Sequence, residues 1–287
     1  MANDALDINP PAGTRHITTH ASDWLWAVFA VMLFSLLLSV LWAGLKRHRN
    51  RALHQIPIVV LSVASLAYFS MASDLGFTIV RSPRTGQTRQ VWYVRYIQWF
   101  INAPLLLLAL LAFTGLSAAD ILTTMFLSWV LVVSGLVGAL VPSSYKWGYY
   151  AFGLAALFYM WYRLHSHARR FPYRVGHNAL RGFHGGAWYI TLIWTLYPIC
   201  WGLSEGSDTI SPTSEMVFYG VLDLIAGPLF LLYLLTSMRK LEYAELGATS
   251  LIASDRGESE RKGAGAGAEE RPGEAGTSEP GGAERRA

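Results

Sequence analysis

The chain has 287 residues, 53% of them hydrophobic and 15% charged, with 11 tryptophans and a formal net charge of +4. That balance excludes an ordinary water-soluble domain, and the basic clusters described below, expected beside the spans of any polytopic membrane protein, do not point to a nucleic-acid partner. A single cysteine, Cys200, excludes an intrachain disulfide.

Residues 1–22 are polar and carry Pro10, Pro11 and Gly13, so they read as an N-terminal segment and not as a cleavable leader. A membrane-crossing helix needs about 20 mostly apolar residues. Seven stretches qualify: Trp24–Leu45, Ile56–Val80, Val91–Phe113, Ala118–Leu140, Trp147–Leu164, Gly182–Leu203 and Glu215–Met238. Between the second and third, β-prone runs at 77–81 and 87–91 flank the turn Ser82-Pro-Arg-Thr-Gly86, which predicts a short extracellular β-hairpin. Spans three and four are joined by Thr114-Gly-Leu-Ser117, and four and five by Val141-Pro-Ser-Ser144. Such short links favour antiparallel neighbours in an all-α bundle. Pro198 and Pro228 each remove a helical hydrogen bond and predict kinks in the sixth and seventh helices.

Basic residues crowd the first loop (Lys46, Arg47, Arg49, Arg51) and the fifth (Arg163, Arg169, Arg170, Arg174, Arg181), and Arg239 and Lys240 follow the last span. The positive-inside rule then places the N-terminus outside and the C-terminus in the cytoplasm. The membrane domain covers 23–240, and the Gly-, Ala- and Glu-rich 241–287 reads as a largely disordered cytoplasmic tail.

Ionisable groups inside a bilayer are costly and therefore point to function. Arg95, Gln98 and Asn102 are spaced i, i+3, i+7 and share one face of the third helix. Asp223 in the seventh is the expected partner of Arg95, since neither charge is stable alone in that setting; such a pair could equally be scaffolding. Tyr68, Trp99, Trp194, Tyr197 and Trp201 form an aromatic set that either packs the bundle or lines a pocket. No nucleophile elbow, phosphate loop or metal-spaced cluster is present, and His165 and His167, at i and i+2, point to different helix faces. No enzymatic activity and no metal are expected.

Arg95-Tyr-x-x-Trp99 followed by Pro104-Leu-Leu-Leu-Leu108, Gly135-Leu-Val-Gly-Ala-Leu140, Trp194-x-x-Tyr-Pro-x-x-Trp201 with Ser204-Glu-Gly206, and Leu222-Asp223 together resemble microbial rhodopsins across the whole membrane domain. The nearest resemblance is to fungal opsin-related proteins, a branch that includes stress-induced plasma-membrane proteins. The resemblance implies a seven-transmembrane bundle and a remnant pocket of Tyr68, Arg95, Gln98, Trp99, Asn102, Trp194, Tyr197, Trp201, Asp223 and Gly227.

It also places the family's retinal-bearing lysine on Gly227, its Schiff-base proton acceptor on Gln98, the nearby threonine on Asn102 and its reprotonating carboxylate on Ala109. Lysine and counter-ion are thus lost together, which leaves the local charge balanced. The expected protein binds no covalent cofactor. It is a non-photoactive, stress-linked chaperone-like or regulatory protein of the plasma membrane, acting on the proton-pumping ATPase or another membrane client and open to oligomerisation. Two alternatives stand beside it: a light-driven ion transporter or photosensor, and a noncovalent lipid or retinoid binder.

Overall fold

A computed structural model describes residues 3–45, 52–112, 114, 116–167 and 177–237. Most of the basic loop residues and the expected tail lie outside the described residues. Among those described, seven long helices succeed one another: α1 Thr19–Leu45, α2 Ala52–Ala72, α3 Tyr93–Leu111, α4 Ala118–Leu140, α5 Lys146–Tyr162, α6 His177–Trp201, and α7, which begins as Pro212–Leu224. Five of them, α1, α2, α3, α4 and α7, are long and apolar enough to cross a membrane by length and composition. Consecutive helices pack side by side, and α1 packs against α7 to close the ring.

The bundle is apolar on both sides. Leu25, Met32, Leu61, Leu107, Phe183 and Phe230 fill its interior, while Phe34, Leu66, Phe126, Phe152 and Leu192 are exposed on its outside. In water such an outer surface would drive association; against lipid chains it is the matching solvent. Helix starts follow local chemistry. The Ser117 hydroxyl caps α4 by accepting from the Asp120 amide, and Ser211 caps α7 from the Ser214 amide ahead of Pro212 at the first position.

The expected hairpin is present. β1 (Thr78–Arg81) pairs antiparallel with β2 (Thr88–Val91), with Thr78 opposite Val91 and Arg81 opposite Thr88. The second span is shorter than its apolar run suggests, ending at Ala72 and not at Val80. Asp74 (φ 53°) and Gly76 (φ 79°) take left-handed conformations that stop the helix and turn the chain into β1. A Cβ at Gly76 would lie 2.8 Å from the Val94 Cβ, so glycine is required there for space as well as for conformation.

Residues 3–18 do more than precede the bundle. The Arg15 amide donates to the Thr88 carbonyl (2.9 Å) and its carbonyl accepts from the Gln90 amide (3.1 Å), laying a short parallel bridge along β2. The Ile17 amide donates to Gln90 Oε1, and Asn9 Nδ2 to the Ser73 carbonyl.

Of the two prolines expected to disturb helices, Pro228 does so through a π-helical stretch, Ile225–Leu229, that carries α7 into a final α-helical segment, Phe230–Ser237. Pro198 lies within α-helical α6, which passes into π geometry only at Gly202–Gly206.

Candidate functional site

Asp223 is buried on the inner face of α7, and its carboxylate accepts four hydrogen bonds from neutral groups. Oδ1 takes Tyr197 Oη (2.6 Å) and Trp99 Nε1 (3.1 Å); Oδ2 takes Tyr68 Oη (2.7 Å) and Gln98 Nε2 (3.0 Å). A carboxylate offers about four acceptor positions, so this shell leaves none over. The donors come from α2, α3 and α6, and the carboxylate ties three helices to the seventh.

Arg95 does not pair with Asp223. Its Nη1 donates to Glu215 Oε1 at 2.8 Å and lies 3.7 Å from Glu205 Oε1. Its guanidinium also covers the Tyr219 ring, 4.1 Å from the centroid. The expected pairing fails because Arg95 reaches toward the hairpin end, where Glu215 opens α7 and Glu205 closes α6. Gln98, one turn deeper on α3, meets Asp223 instead.

Glu215 also receives Arg89 from β2 (2.6 Å). Arg89 in turn bonds Asp208 (2.5 Å), which Arg15 meets at 2.7 Å. Three guanidinium groups and three carboxyl groups thus close one network, buried except at Arg15, which offsets the desolvation that would make a buried member prohibitive alone. In the loop after α6, burial alone would raise the Asp208 carboxyl, but hydrogen bonds from Arg89, Thr85 and Arg15 outweigh it and hold it below the usual carboxylate range. Sequence reasoning singled out Arg95 but assigned no partner to Glu215, Arg89 or Asp208. Gln90 on the same short strand bonds Asp74 (2.9 Å), and no spacing rule reports such cross-connections.

Between the ionic end and the middle of the bundle lies a largely apolar cavity of about 110 Å³. Eight of the ten expected pocket residues line it: Gln98, Trp99, Asn102, Trp194, Tyr197, Trp201, Asp223 and Gly227. Tyr68 stands behind Asp223, and Arg95 belongs to the ionic network. The wall also includes Tyr96 of the third-helix motif, and Met32, Tyr150 and Gly153, whose positions followed no recognisable sequence signal. Trp99 meets Tyr197 edge-on at 5.1 Å, and Trp201 stacks on Tyr150 at 5.1 Å while its Nε1 donates to the Gly135 carbonyl.

Two features of the wall are chemically decisive. A Cβ built on Gly227 would have one neighbour within 4 Å, Met32 Cε at 3.9 Å, so the glycine opens directly onto free space. Lys146 is the one lysine among the described residues; its amine donates to the Glu205 carbonyl at 2.6 Å, and it does not line the cavity. No described amine can reach a carbonyl compound held there, and the site does not fit a Schiff-base-linked chromophore. No cluster of three or more His, Cys, Asp or Glu residues able to hold a metal occurs among the described residues, and the side chain of His167 lies outside them. His165 Nε2 instead meets Thr191 Oγ1 at 2.8 Å.

Comparison with known proteins agrees with this architecture. Residues 19–241 match the family model of bacteriorhodopsin-like proteins. The chain is 55% identical to protein FDD123 of Trametes versicolor, over 89% of this chain and 91% of that protein. It is 36% identical to the 30 kDa heat shock protein of Saccharomyces cerevisiae, over 83% and 79% of the two chains. Among solved structures, the light-driven proton pump rhodopsin of Coccomyxa subellipsoidea superposes with a TM-score of 0.76 at 33% identity, covering 78% of this chain and 99% of that one. This chain belongs to the bacteriorhodopsin-like family and, by its relatives, to the fungal opsin-related proteins within it.

Proposed function

We propose that this protein is a non-photoactive member of its family, one that binds no retinal covalently and serves a stress-linked chaperone-like or regulatory role in the plasma membrane. Gly227 carries the first half of the proposal. It faces the cavity where the resemblance expects the retinal lysine, with nothing but Met32 Cε nearby. The shell around Asp223 supports it: four neutral donors satisfy the carboxylate, leaving no acceptor position for a protonated imine. A light-driven pump needs a tethered chromophore and carboxyl groups along a proton path, and Gln98 and Ala109 stand where the resemblance expects two of them.

The stress-linked half draws on the name of the yeast relative, a heat shock protein. In this reading the N-terminus lies outside, the tail is cytoplasmic, and the client is the proton-pumping ATPase or another membrane protein met through the lipid-facing helices. Proton-ATPase activity should differ between heat-stressed plasma membranes with and without this chain. Identical activity, with no ATPase retained by the purified protein, would remove that client.

A second reading follows from the cavity, which is aromatic-lined and survives although no described lysine lines it. It could hold a noncovalent apolar ligand.

A further inference from the structure

Gln98 and Asn102 sit one turn apart on α3, 3% and 6% exposed, and both line the cavity. Each side-chain amide is oriented by its nitrogen. Gln98 Nε2 donates to Asp223 Oδ2 (3.0 Å), and Asn102 Nδ2 donates to the Val60 carbonyl (3.0 Å). Turning either amide over would set oxygen against oxygen, so neither can exchange its ends. The two oxygens, Gln98 Oε1 and Asn102 Oδ1, are left buried without a hydrogen-bond donor. Buried acceptors without donors are rare and unfavourable in folded proteins. Much of the remaining wall is apolar: Leu106, Leu131, Val132 and Leu154 with the aromatic rings.

Resting on the noncovalent reading above, we propose that this cavity is a binding site for an apolar alcohol, an extended hydrocarbon or isoprenoid with a terminal hydroxyl that donates to one of these orphaned amide oxygens. The open surface at Gly227 leaves room for the head group, and the tail lies along the apolar and aromatic wall toward Tyr150 and Gly153. The recognition is selective by hydrogen count. An aldehyde of the same skeleton has only an acceptor oxygen, which leaves both amide oxygens without a donor. The site therefore prefers the alcohol, which reverses the chemistry expected of a cavity built to capture an aldehyde.

The test uses the full-length protein in nanodiscs and two probes of one skeleton, all-trans retinol and all-trans retinal, followed by quenching of tryptophan fluorescence. Retinol should bind roughly tenfold or more tightly than retinal, as expected when a buried acceptor is satisfied in one complex and not in the other. Asn102→Leu should shrink that ratio toward one, and Gly227→Leu, which fills the cavity, should weaken both probes. The wild-type comparison stands even if a variant does not fold. Equal affinities, tighter binding of retinal, or binding of neither probe would overturn the proposal, the last outcome marking a cavity kept for water. A hydroxylamine-sensitive visible band with retinal would instead sink the non-photoactive reading, so the two failures are distinguishable.

Discussion

Removing the guanidinium at position 95 would leave Glu215 and Glu205 buried with one partner fewer and facing each other. Arg95→Ala should therefore destabilise the protein by about 3–5 kcal/mol, seen as a lower midpoint of thermal unfolding in detergent; an unchanged midpoint would mean the network is loosely held. Asp223→Asn makes a different prediction. It brings an NH₂ group into a shell made only of donors, so at least one of Tyr68, Gln98, Trp99 and Tyr197 loses its acceptor, costing about 1–3 kcal/mol. Tyr197→Phe should cost less, because the carboxylate keeps three of its four hydrogen bonds. These contrasts show what was legible at this scale. Arg95 and Asp223 could be read from the sequence, because charges in apolar runs stand out. Who pairs with whom could not, because Arg95 is long enough to reach either Asp223 or Glu215, and only the level at which α6 and α7 begin and end decides between them.

At the scale of elements, the hairpin and the N-terminal segment form a clamp over one end of the bundle. Asp208, in the loop after α6, holds this clamp down through Arg15 and Arg89. Its carboxyl is held below the usual range, so its contribution is fully present above the unfolded-state value of about 4 and is lost as pH falls through the lower folded value. Hydrogen exchange of residues 13–17 and 78–91 should accelerate only on acidification below that point, and Asp208→Asn should be fast already at neutral pH. Exchange that accelerates instead toward high pH, beyond its intrinsic rise, would contradict the assignment. Gly76→Ala should cost about 1–3 kcal/mol for the left-handed backbone, and more because its Cβ would press on Val94. The hairpin was readable from its Pro/Gly turn. The end of α2 was not, because apolar residues continue beyond Ala72 into β1, and hydropathy does not see Asp74 and Gly76 changing the backbone conformation. The Arg15 bridge was also hidden, since pairing along a strand edge uses backbone groups common to all residues.

Over the whole molecule, the bundle was legible because a bilayer demands continuous apolar length, and length survives in sequence without any partner information. The cavity was legible only as a list of aromatic and polar residues; its free volume, its two orphaned amide oxygens and the open face of Gly227 belong to the packed structure. The double variant Gly227→Lys with Gln98→Asp should restore an amine and a counter-ion together and produce a coloured product with retinal. A colourless but folded double variant would mean the cavity no longer accommodates the polyene. The most direct measurement is the visible absorption spectrum of the purified wild-type protein after incubation with all-trans retinal. No red-shifted band is expected, because no described amine lines the cavity. A red-shifted band bleached by hydroxylamine would contradict the account at its centre.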